Sequence, residues 1–399
     1  MSSRFQRIVA LRSLGISALI VCCLALVACS TEAGTSSGGS TGTPSPTGSG
    51  PATTATTAPP ATPTPAPTSQ LGPSLSQLSV YVGDGNGDFL AINAQSGAQR
   101  WKMGIGSEAN KPLANNGIVY ITTQDGYVAA LNAGHTLWHK QGDSTGGGID
   151  GRPQLYNGMV FGATDNGVIF ALDAATGNQR WRYPTGGQIS GSVNVQPDGT
   201  LYAGSSDGYL YALNANNGAL RWRYQTGVAI EFTSPTVNNG TVYIGADNGK
   251  LYAINTSNGS LKWSYQTGGQ IFGKPAVDNG AVYFGSNDYH VYAVSVSSGN
   301  KLWSFSTGGS VTGTPAAYNG AIFITSSDNV LYALRESNGS KLWSFTRSGG
   351  FGRAWPVIMQ GRLFIGAANG NLYAINTSNG AKIWSFSAGS PLDSPTVGQ

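Results

Sequence analysis

The chain has 399 residues and a formal net charge of +4; charged side chains occupy 10% of positions and glycine occurs 58 times. So little charge gives no basic face for nucleic acid, and the glycine suits tight turns between many short strands better than helices. Setting aside Arg4, Arg7 and Arg12 at the N-terminus lowers the basic count from 22 to 19, against 18 acidic residues.

Those three arginines precede an apolar stretch, LGISALIVCCLALVAC, too short for a confident membrane span and ending in small residues. Leu26-Val27-Ala28-Cys29 resembles the lipobox of bacterial lipoprotein signals, which implies cleavage before Cys29 and acylation of its thiol; a plain secretory signal is the competing reading. All three cysteines, at 22, 23 and 29, lie here, so the mature chain is expected to carry one lipidated sulfur and no disulfide. The expected location is extracytoplasmic, anchored to the membrane by the lipidated cysteine. Residues 29–77 read as that cysteine plus a disordered tether: Ser, Thr, Gly, Pro and Ala dominate, and no charge falls between Glu32 and Asp84. A coil of that length spans about 40 Å root-mean-square.

From residue 78 to 399 the text is periodic. Tryptophans at 101, 138, 181, 222, 263, 303, 343 and 384 recur every 37 to 43 residues. Each unit holds four short β-rich runs separated by turn signals such as DNG and SSGN, which predicts one four-stranded blade. Eight units predict an all-β, eight-bladed β-propeller of four-stranded antiparallel blades. The first unit opens in its second strand, and SPTV near the C-terminus matches the first strand of a unit, so the C-terminal strand is expected to complete the first blade and close the ring.

The stretch ALDAATGNQRW, Ala171 to Trp181, is similar to the A-x-D-x-x-T-G-x-x-x-W repeat of the pyrroloquinoline-quinone (PQQ) family of propellers. Looser copies end at the other seven tryptophans, the copy at Trp138 being two residues short. Members of that family include quinoprotein alcohol dehydrogenases, the outer-membrane assembly lipoprotein BamB, and sensor domains without chemistry. The resemblance implies that each tryptophan docks on the neighbouring blade with its indole N–H paired, while each signature glycine turns the chain through positive φ.

Catalysis finds little support in the residues. His135, His139 and His290 fall into no triad or metal-ligand spacing. A quinoprotein enzyme would resemble the family further in a vicinal disulfide, acid and amide ligands for calcium, and long insertions; the adjacent Cys22 and Cys23 are in the leader, and the units are bare. No catalytic residue and no metal site is therefore assigned, and no cofactor is expected, with PQQ and calcium kept for the alternative of a PQQ-dependent dehydrogenase. Asp84-Gly-Asn-Gly-Asp88 has a calcium-loop look, but Gln95 stands where a bidentate acid belongs, and a hairpin turn is the simpler reading. Asp125, Asp165, Asp207, Asp247 and Asp328 lie in equivalent turns and are expected to accept backbone N–H bonds there. The pairs Arg100/Lys102, Arg180/Arg182 and Arg221/Arg223 bracket outer-strand tryptophans, as a solvated edge or a belt for an anionic polymer.

The repeat is least obeyed in the links between units. There stand Glu108, Lys111, Asp150, Arg152, Glu231, Phe232, Phe272, Lys274, Arg353, Trp355 and Asp393. In a blade that starts at the centre these links surround the channel mouth, where mixed charge and aromatics suit recognition. The expectation is a non-catalytic, lipid-anchored binding or scaffolding propeller, monomeric, whose mouth grips a protein, peptide, polar small molecule or cell-surface polymer. Trp355 would serve as a stacking platform and Arg152, Lys274 and Arg353 as anion contacts; solvated loop residues free to drift are the competing reading.

Overall fold

A computed structural model describes residues 73–352 and 354–399. The leader, Cys29 and residues 30–72 of the expected tether lie outside the described residues. The described residues form strands, turns and links, in eight four-stranded antiparallel sheets. In blade 1 the order from the centre outward is Thr396–Gly398, Ser79–Gly83, Asp88–Asn93 and Gln99–Gly104. The C-terminal strand pairs with the first blade, Ser79 opposite Gly398 and Tyr81 opposite Thr396, so the ring closes as the split repeat predicts. Blades 2 to 8 each run in chain order from the centre outward.

The described domain begins before residue 78. Leu75 packs into the seam between blades 8 and 1, and the Ser76 carbonyl accepts from Asn93 Nδ2 at 3.1 Å.

Alternation fixes which face each residue shows. The second and third strands are buried along nearly their whole length, as in Thr241–Gly245 and Lys250–Asn255, whereas outer strands such as Leu261–Gln266 are mostly exposed. Buried side chains sort into eight clusters, each shared by two consecutive blades, so the core is a ring of seams.

The repeat signature builds those seams. In every blade a small alanine of the third strand faces the tryptophan, as in Ala253 opposite Trp263, and a bulge follows immediately. Seven indoles donate to a carbonyl of the next blade, from Trp138 to Ala174 at 3.0 Å round to Trp384 to Ala94 at 3.3 Å. That last bond joins blade 8 to blade 1. Trp101 is the one for which no such bond is described; it meets the shortened turn of blade 2 and packs on Gly134. The signature glycine is doubly required: Gly259 has φ +71°, and a Cβ there would stand 2.7 Å from the Trp222 ring.

Candidate functional site at the channel mouth

The turn between second and third strands hydrogen-bonds the link that enters the same blade. Gln124 N donates to Glu108 O, Asp165 N to Gly148 O, and Asp247 N to Ala229 O, with the same contact in the remaining blades. Links and these turns therefore share one face, as expected.

Within each link, the residue before the innermost strand's proline occupies an equivalent place: Lys111, Arg152, Ser234, Lys274, Thr314, Trp355 and Ser394, with Ser192 before Val193 in blade 4. Where it is a hydroxyl residue, it ties neighbouring blades together. Arg152 N donates to Ser192 Oγ at 2.8 Å, Ser192 N to Ser234 Oγ at 2.8 Å, Lys274 N to Thr314 Oγ1 at 3.1 Å, and Trp355 N to Ser394 Oγ at 2.9 Å. Three of the four long side chains at this level, Lys111, Arg152 and Trp355, instead meet across the ring. Lys111 Nζ lies 4.9 Å from the Trp355 ring centroid and Arg152 Cζ 5.6 Å from it, although blades 2, 3 and 8 supply these residues. Trp355 is thus already engaged by two cations, within the range of favourable cation–π attraction.

Arg152 is held by its own chain on one side. Its Nη2 donates to Pro395 O at 3.0 Å, while its Nε is buried with no partner. Desolvation brings its guanidinium down to about 10, and Asp393 acts in the opposite direction. Desolvation also brings Lys274 down to about 8, and the Arg152 charge pushes it the same way. Both residues are half-buried. Lys111 Nζ donates to Asp150 O at 3.2 Å.

The acids of the mouth sit on blades 1 to 3 and on blade 5. Asp150 accepts from Gln124 Nε2 at 2.7 Å. Glu108 is raised by desolvation first and then by Asp393, Asp150 and Asp84. Asp165 is pushed up to about 6 by desolvation and by Asp150; Asp247 reaches about 6 through desolvation and Glu231. One oxygen of each of these two is buried without a partner. The turn role expected of them is therefore corrected. Asp207 and Asp328 do cap their turns, accepting from Tyr209 N and Val330 N, because they directly precede the last turn residue. In the D-N-G turns of blades 3 and 5 the acid is one residue earlier, where its carboxylate leaves those donors and enters the mouth. That one-residue offset was visible in the sequence and is the signal that would have found both.

Phe232 and Phe272, from neighbouring links, meet edge-on at 5.7 Å, and Phe232 holds φ +55°. They stand on the links entering blades 5 and 6. Glu231 belongs with Asp247, whose carboxyl its charge helps to raise. Arg353 lies outside the described residues. The expected roll of mouth residues thus divides into a cation–tryptophan throat, an acidic arc and an aromatic pair.

Asp84–Asp88 is a turn: Asp84 Oδ1 accepts from Asn86 N at 3.0 Å and Asp88 N at 2.9 Å, and Asp88 pairs with Lys102 at 2.7 Å. The bracketing cations are engaged within the domain. Arg182 pairs with buried Asp143 at 2.8 Å, Arg221 donates to Thr200 Oγ1 at 2.7 Å, and Arg223 lies over Tyr209. Among the described residues no three His, Cys, Asp or Glu side chains come together as a metal-holding group.

Fold and repeat together define a closed eight-bladed propeller of PQQ type. The family model described as outer membrane protein assembly factor BamB matches residues 47–149, 231–344 and 327–399, and the chain belongs to that family. Among solved structures, BamB from Moraxella catarrhalis is similar at 20% identity and TM-score 0.63, covering 71% of this chain and 89% of its own. The computationally designed Ika8 protein matches at 16% identity and TM-score 0.65, covering 77% and 93%. Quinohemoprotein alcohol dehydrogenase from Comamonas testosteroni matches at 16% identity and TM-score 0.61, covering 80% and 74%. These likenesses concern the fold. The comparison with curated proteins finds no match.

Proposed function

We propose that this propeller is a non-catalytic, lipid-anchored scaffold outside the cytoplasmic membrane, which holds an acidic segment of a protein partner in its channel throat. The observation that carries this reading is the meeting of Lys111 and Arg152 at Trp355 from three blades, with Arg152 Nε buried and unpartnered and the Arg152 charge also acting on Lys274. Cations held this close repel one another, and a carboxylate among them relieves that repulsion while supplying the missing acceptor. The tryptophan gives the same ligand an apolar surface. The family's description as an assembly factor points to protein partners. The dehydrogenase alternative rests on fold likeness, which does not transmit chemistry. No cofactor enters this proposal, and anchoring rests on Cys29: Cys29→Ser is expected to move the protein from the membrane fraction to the soluble one.

Selection from a displayed random peptide library tests the binding role. Wild type is expected to enrich peptides rich in Asp and Glu, and Arg152→Gln/Lys274→Gln is expected to lose them while keeping its melting temperature. Equal recovery by both proteins would overturn the throat as the site.

A further inference from the structure

The seam between blades 1 and 2 differs from the other seams. The third residue of each blade's third strand faces the preceding blade, and it is Phe170, Tyr211, Tyr252, Tyr292, Tyr332 or Tyr373 in six blades. In blade 1 it is Leu90, and in blade 2 it is Ala129, the smallest of the eight. Five seams pair that ring with an aromatic from the outer strand of the blade before, such as Tyr183 with Tyr211 at 5.8 Å and Phe305 with Tyr332 at 5.5 Å. At the first seam the corresponding residue is Met103. Two aromatic rings are thus replaced by a methyl group and a thioether. What remains is a cavity of about 160 Å³ walled by apolar Met103, Ile121, Ala129 and Leu131 and by polar Thr123, Thr136 and His139. An apolar cavity of about 150 Å³ is large enough to take benzene.

The missing group also has a place for its polar end. Tyr211 Oη donates to Asp207 at 2.6 Å, Tyr292 to Asp288 at 2.8 Å and Tyr332 to Asp328 at 2.6 Å. In blade 2 the aligned turn residue is Asp125, and among the described residues its hydrogen-bond donor is Thr123 Oγ1 alone, at 2.5 Å to Oδ1. An aromatic slot walled by a flexible methionine, with a carboxylate at the position that binds phenols elsewhere in the ring, matches the shape and chemistry of the side chain it lacks.

We propose that this seam receives a tyrosine side chain of a partner polypeptide, inserted between blades 1 and 2 as the repeat's own tyrosines are inserted elsewhere. No throat residue lines this cavity, and the proposal stands whether or not the throat binds acidic segments.

Carbon-13 methyl-methionine NMR tests it directly, since the chain has four methionines. With p-cresol, the side chain alone, and with N-acetyltyrosinamide, the Met103 methyl signal is expected to move upfield saturably by ring current. Toluene is expected to bind roughly tenfold more weakly, as fits loss of one hydrogen bond to a charged acceptor, and Asp125→Ala should bring p-cresol down to the toluene level. Ala129→Tyr should abolish the shift by filling the slot; Ala129→Leu serves should that variant misfold. A Met103 signal that no probe moves, or that still moves in both Ala129 variants, overturns the site. Binding of p-cresol without N-acetyltyrosinamide overturns a chain-borne tyrosine as its occupant. A p-cresol advantage over toluene that survives Asp125→Ala overturns the assigned polar partner.

Discussion

Deleting residues 393–399 removes the innermost strand of blade 1 and leaves Ser79–Gly83, buried along its whole length, as an unpaired edge. Three residue pairs of the ladder disappear, at about 1 kcal/mol for each hydrogen bond lost. Burial of Val397 and of the Pro395 ring adds about 1–2 kcal/mol each. Trp355 N loses Ser394 Oγ and Arg152 loses the Pro395 carbonyl, so two more donors are orphaned. Ladder and burial alone come to about 6 kcal/mol before the orphaned donors are counted, comparable with the whole stability of many domains. In a domain of this size roughly 2 °C accompanies each kcal/mol, which places the melting temperature about 10 °C lower. Differential scanning calorimetry of truncated and full chains measures it, and equal melting temperatures would refute closure as a source of stability.

Gly259→Ala introduces both an unfavourable φ and a clash with the Trp222 indole, whereas Gly320→Ala, at φ +73° with nothing within 4 Å, introduces the φ cost alone. Urea midpoints are expected to show about 1 kcal/mol lost at Gly320 and about 3 kcal/mol at Gly259; equal losses would mean the indole yields freely. Asp165 and Asp247 have folded values raised to about 6, above the ordinary carboxylate range near 4. Between those values the folded state holds more protons than the unfolded one, so their contribution makes stability fall as pH rises from about 4 to 6. Asp165→Asn/Asp247→Asn should flatten that slope and stabilise the protein at pH 7, and chemical denaturation at pH 5 and pH 7 checks both effects.

Fold and closure were legible because each unit repeats the same physical solution: a bulge, a small alanine opposite a tryptophan, and a glycine that admits the neighbouring indole. The mouth was legible as the place where the repeat fails, since Arg152, Lys274 and Trp355 stand where other links carry serine or threonine. Their grouping was not. Lys111 and Trp355 are far apart in sequence and meet because the closed ring brings blades 2 and 8 to either side of blade 1. The acids at 165 and 247 were masked by treating equivalent turns as equivalent positions. Ala129 carried no polar or catalytic signal, and its meaning appears when the aromatics of the other seams are seen to meet there.

Fluorine-19 NMR of protein labelled with fluorotryptophan, with the Trp355 signal assigned by Trp355→Phe, tests the throat most directly. On titration with a selected acidic peptide at pH 7 the Trp355 signal should shift saturably. Arg152→Gln should weaken the affinity about 10- to 100-fold, as loss of a charged hydrogen-bond partner implies. Affinity should also fall as pH rises through about 8, where Lys274 loses its proton. A peptide that binds with undiminished affinity to Arg152→Gln while the Trp355 signal stays in place would contradict the account.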